Sequence, residues 1–181
     1  MTLLFGFSPF ILFALLSRLS ADLALWLAFA ASFVVTIRDF VESPSLRLLD
    51  GVSLALFGLL ALIRGFFLPE LSLAVVRTVV DGVLCLAIFV SIFRGKPFSL
   101  QYASRVSHLH PHWPLQAFLR VNQLISLVWG LGFAAMTLAD GAVAFLSLPF
   151  YVGIGTSVVA LAASITFTFL YPTLAAEQLP R

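Results

Sequence analysis

Arg77 and Asp81 are the residues of this chain best placed to do chemistry, because they lie four apart inside a long apolar run, Leu71–Phe93. On a helix that spacing puts both side chains on one face. Asp81 falls near the middle of the run, where a charge costs about 3 kcal/mol on membrane-insertion scales, so the face must turn toward other protein. Gly82 and Cys85 continue that face and leave room beside it. Two chemistries fit. One is a site for an ion, a proton or a substrate. The other is an internally neutralised pair that orients the helix.

Further polar residues stand at membrane depth in other apolar runs. Asn122 and Gln123 lie deeper than Arg120, which can snorkel to the interface, and both amides need hydrogen-bond partners on a neighbouring helix. Arg64 stands near the far end of its run and either snorkels or joins Arg77 and Asp81. Arg77, Asp81, Arg64, Asn122 and Gln123 therefore form the candidate intramembrane polar cluster.

Other chemistries are weaker. His108, His110 and His112 alternate, as metal ligands on one side of a strand would, but no Cys or carboxylate accompanies them and Pro111 interrupts them. Without a fourth ligand no metal is assigned, and the histidines read as loop residues that titrate near neutral pH. Gly130-Leu131-Gly132 and Gly153-Ile154-Gly155 lack the third glycine and the basic residue of a phosphate loop. No cofactor is assigned. The chain has no nucleophile elbow, no HExxH and no Ser/His/Asp spacing, which argues against an enzyme. A net charge of +2 gives no case for nucleic acid, and the single Cys85 leaves no intramolecular disulfide.

The elements that must position these residues follow from composition. The chain has 181 residues, 61% hydrophobic and 10% charged, against roughly 25% charged in a soluble domain. So much apolar surface needs lipid as its outer solvent. In lipid every backbone polar group must be satisfied within its own segment, so long apolar runs are helices. The expected fold is an all-α, polytopic transmembrane bundle of about six spans in a single integral membrane domain, residues 1–181. The spans are placed at Phe5–Leu16, Leu23–Ile37, Val52–Leu68, Leu71–Phe93, Leu115–Leu138 and Ala144–Tyr171. Tight turns are expected at Arg18–Asp22, Pro69–Glu70 and Asp140–Gly141, and long connections at Arg38–Asp50 and Arg94–Pro114. The first run lacks the basic start and the cleavage-site residues of a signal peptide, so it is kept as a span.

Arg38, Arg47, Arg94, Lys96, Arg105 and Arg181 gather in the long connections and the C-terminus, which places both termini in the cytoplasm by the positive-inside rule. Within the 94–114 connector, Phe98, Tyr102 and Val106 recur at helical spacing after Pro97, as in a short interfacial helix. Small residues recur at helical spacing in four spans, among them Ala24, Ala28 and Ser32, and Gly153, Ser157, Ala160 and Ser164. They let helices approach closely, and intramolecular packing is their expected use.

Several stretches resemble the intracellular septation protein A family of bacterial inner-membrane proteins. They are "GFSPFILFALL" in the first span, "FRGKPFSLQYA" after the fourth with its basic-Lys-Pro turn, "RVNQLISLVWGLGFAAMTLADGAVA" in the fifth, and the closing "TFLYP". The resemblance implies a multi-pass protein of the bacterial inner membrane with a role in septation or envelope maintenance. It carries no catalytic residue onto these positions. The function expected first is non-enzymatic, exerted through the bilayer and contacts with other envelope membrane proteins. The alternative is a small transporter or channel that uses the Arg77–Asp81 face.

Overall fold

The computed structural model describes residues 6–17, 19–42, 47–103 and 114–177, and all its regular structure is helical. The expected all-α membrane architecture holds: among the described residues five helices are long and apolar enough to cross a bilayer. The chain forms two compact units, Met1–Val76 and Arg77–Arg181.

In the first unit, α1 (Ser8–Leu16) starts with Pro9 in its first turn, where a missing N–H costs nothing. It has nine residues, so it reaches only about 14 Å, half the hydrocarbon thickness. Phe10 and Phe13 pin it to Phe57, with ring centroids 5.0 and 5.6 Å apart. α2 (Ala21–Glu42) and α3 (Leu48–Leu62) are full spans, and α3 runs on into a π-helical turn, Ile63–Phe67. Ala24, Ala28 and Ser32 are completely buried, as the small-residue stripe requires. Gly58 lies against the Phe29 ring, so close that a Cβ there would sit 2.9 Å from it. Arg47 pairs with Asp39. Arg64 pairs with Asp22, Nε to Oδ1 at 2.6 Å.

α4 (Leu73–Phe93) begins four residues before the second unit. It ends in a Schellman motif: the Gly95 N–H reaches Ile92 O, the Lys96 N–H reaches Ser91 O, and Gly95 takes φ +68°, which glycine adopts without strain. That reversal sends the chain into α5 (Phe98–Ala103). α6 (Leu115–Phe145) and α7 (Phe150–Glu177) complete the unit and pack on each other.

One expectation needs correcting here. Asp140–Gly141 is not a turn. α6 continues through it to Phe145, and the reversal comes at 146–149, where Ser147 has φ +54° and Pro149 precedes α7. The Asp-Gly signal is overridden because good helix formers flank it and the Asp140 carboxylate finds partners inside the protein. The short helix expected after Pro97 is α5, where Phe98, Ser99 and Tyr102 are buried and Ser99 is bonded to α6. His108, His110, His112 and Val106 lie outside the described residues.

Candidate functional site

α4, α6 and α7 converge on one charged cluster. Arg77 lies one turn into α4, and its Nε donates to Asp140 Oδ2 at 3.0 Å. Its Nη2 donates to Ser157 Oγ, also at 3.0 Å. Ser157 in turn donates to the Gly153 carbonyl one turn back on α7, at 2.9 Å, so the hydroxyl is oriented to accept from arginine. The Phe150 ring covers the guanidinium, 5.7 Å from Cζ to centroid, a cation–π distance. Arg77, Asp81, Asp140 and Ser157 are each less than 10% exposed.

Glycine makes the close approach possible. The second Asp140 oxygen, Oδ1, rests against Gly153, where a Cβ would collide with it. Gly82 likewise faces Thr137, with 3.4 Å between that methyl group and a Cβ placed there. The small residues in α4 and α7 thus bring three helices close enough for one arginine to reach two of its neighbours.

Asp81 joins from the next turn of α4, buried, with its carboxyl beside that of Asp140. The pairing expected from the four-residue spacing is therefore rearranged. The direct ion pair of Arg77 is with Asp140 on another helix, and Asp81 is tied to the cluster by way of Asp140. At 1.5 Å per residue the cluster sits about 6–12 Å inside the Leu73 end of α4. Chemically it holds one guanidinium and two carboxyl groups. Two neighbouring buried carboxyls can share one proton between them. With that proton the cluster is neutral. Without it, the cluster carries one net negative charge in a closed, low-dielectric setting.

The other candidate residues fall elsewhere. Asn122 is buried on α6 and belongs to a second, uncharged cluster. Ser99 Oγ donates to Asn122 at 2.8 Å (backbone O) and 3.0 Å (Oδ1), the Ser99 N–H and Oγ both lie within reach of Ser126 Oγ, and the Phe98 N–H donates to Ser91 Oγ. Gln123, its neighbour, is exposed and takes no part in this packing. Arg64 is occupied by Asp22 in the first unit.

Sequence reasoning missed Asp140, Ser157 and Phe150. A signal for Asp140 existed. It lies 18 residues after Asn122, five full turns of 3.6, and Ser126, Gly130, Phe133 and Thr137 fill the same stripe between them. The turn expected at Asp140–Gly141 hid that phase. Among the described residues no group of His, Cys, Asp and Glu is arranged to hold a metal. Compared with protein-family models, with curated proteins and with solved structures, the chain matches none of them.

Proposed function

We propose that this multi-pass membrane protein exchanges a proton at the Arg77–Asp140–Asp81 cluster and acts as a small proton-coupled transporter. One observation carries the reading: the second carboxyl. A structural ion pair needs one acid for Arg77, and Asp140 already supplies it at 3.0 Å. Asp81 adds an acid that cation pairing does not require, at a depth where an unneeded acid is expensive. Intramembrane acids that share a proton beside a fixed arginine are chemically suited to bind and release that proton as neighbouring helices shift. Arg77, held by Asp140, Ser157 and Phe150, would limit the site to no net charge with the proton bound and one negative charge without it.

The orientation proposed here puts Lys96 in the cytoplasm of a bacterial inner membrane and the cluster toward the opposite face, following the positive-inside rule. In a Cys85-free background, an impermeant thiol reagent outside intact cells should spare a cysteine at Lys96 and label one at Leu148. The reverse pattern overturns the orientation.

A second reading keeps the role expected first, an envelope protein of the septation type that works through contacts with membrane proteins. Most of the α7 surface is uncovered by its own unit, and Gly155, Ala162 and Ala163 are exposed along it. An open groove of about 450 Å³ runs beside Ala162, Ala163, Thr166 and Leu170. Small exposed residues suit close helix approach by a partner.

One experiment separates the two. Purified protein is reconstituted into liposomes holding a pH-sensitive dye, and a potassium diffusion potential is imposed. Transport predicts acidification or alkalinisation faster than in protein-free liposomes. A rate equal to theirs, across inward and outward potentials, would sink the transporter reading and leave the contact reading standing.

A further inference from the structure

We infer that Arg64 is a binding residue for the phosphate of an anionic lipid headgroup, with Asp22 as the counter-ion that competes for it. This site lies wholly in the first unit and owes nothing to the Arg77 cluster. Arg64 has one hydrogen bond among the described residues, from Nε to Asp22 Oδ1 at 2.6 Å. An arginine has five donors in a planar fork, and a full carboxylate pair would use two of them in parallel. Here the contact with Asp22 is single, through Nε. The Nη1 of Arg64 is buried and has no acceptor. A charged donor out of water without a partner is costly, so this donor is set to take an acceptor from outside the chain. Asp22 itself is loosely held, with 57% of its side chain exposed.

The surroundings match a headgroup. Arg64 belongs to the π-helical turn Ile63–Phe67 at the end of α3, and Asp22 to the first turn of α2, so the pair sits at a membrane end. Phe66, Phe67 and Leu68 on the same turn are strongly exposed, and Trp26 is partly so. A Cβ at Gly65 would lie 4.0 Å from the Trp26 indole nitrogen. Aromatic side chains beside an arginine are the composition of the headgroup layer. A π-helical turn widens the backbone and re-aims the side chains it carries, here Arg64. By sequence Arg18 and Arg64 balance Asp22 and Glu70 on these segments. With no net field to gather anions, a ligand is held by reaching the unmet Nη1 donor. A phosphodiester does so with two oxygens.

The test uses the full chain in nanodiscs of phosphatidylcholine alone or mixed with phosphatidylglycerol, with thermal unfolding as the readout. Phosphatidylglycerol should raise the wild-type Tm by about 2–4 °C, and Arg64→Gln should lose that increment. Asp22→Asn gives the decisive sign. It frees Arg64, so the phosphatidylglycerol increment should grow even if the variant is less stable in phosphatidylcholine. If Arg64 serves only its ion pair, Asp22→Asn loses stability equally in both lipids, and the inference fails. An increment unchanged in Arg64→Gln also overturns it. So does the same increment from inorganic phosphate added to phosphatidylcholine discs, which would make the ligand a free anion and not a lipid.

Discussion

The α4–α6 pair carries two polar clusters, and they are built on opposite principles. Toward the α5 end, Ser91, Ser99, Asn122 and Ser126 form an uncharged clasp in which hydroxyls and amide meet one another and the backbone. Toward the other end, Arg77, Asp81, Asp140 and Ser157 form a charged cluster with more acids than its cation needs. Both are buried in the same helix pair. A fully satisfied neutral network fixes geometry and asks for nothing from outside. A buried ionic cluster with a surplus acid stays balanced only while it holds a proton. The clasp therefore reads as the fastening of α5 onto α6, and the charged cluster as the part that reacts.

The largest effect should come from unbalancing the charged end. Arg77→Leu leaves two buried acids without their cation, a loss of roughly 3–5 kcal/mol for such pairs in soluble proteins, softened in lipid by water entry. Asp140→Leu strands the arginine and should cost a similar amount. The Arg77→Leu/Asp140→Leu double variant should be milder than the sum, because only Asp81 remains and it is neutral when protonated. Denaturation in mild detergent measures the cycle. Additive losses would mean that the two residues do not interact.

Gly153→Ala should come next. Its new methyl group meets Asp140 Oδ1, and overpacking of this kind costs about 1–3 kcal/mol. Gly155, two residues on, has nothing within 4 Å, so Gly155→Ala should be neutral or gain up to about 1 kcal/mol from helix propensity. Equal losses at both glycines would show that the α7 backbone, and not the Asp140 contact, sets the requirement.

At the neutral end, Ser99→Ala removes a hydroxyl that bridges α5 to Asn122 and should cost about 1 kcal/mol. It should leave proton flux in liposomes unchanged. A Ser99→Ala variant that is stable but without flux would break the division between the two ends.

Much of this was legible in the residues. Hydropathy located the five full spans because the bilayer demands about 20 apolar residues per helix. Arg77 and Asp81 stood out because charge at that depth is rare. What was not legible depended on which helices become neighbours. Four-residue spacing told that Arg77 and Asp81 share a face, but not that Asp140, 63 positions further on, lies nearer to the guanidinium. The Asp140–Gly141 turn failed for a related reason. A local turn signal cannot register that a carboxylate has a distant partner to justify its place in a helix. Phe98 and Tyr102 were read correctly as one face of a short helix, yet their spacing could not say whether that face meets lipid or protein. Asn122 and Gln123, adjacent and alike, have opposite fates because they differ by 100° on α6.

The most direct measurement is made on Asp81→Asn, scored for fold and for flux in the same preparation. An asparagine amide fills the same space and can donate to Asp140 without a proton to lose, so packing persists while exchange is blocked. The expected result is a protein as stable as wild type to within about 1 kcal/mol, with proton flux reduced to that of protein-free liposomes. A well-folded Asp81→Asn protein with undiminished flux would contradict the assignment of Asp81 as the proton-carrying residue.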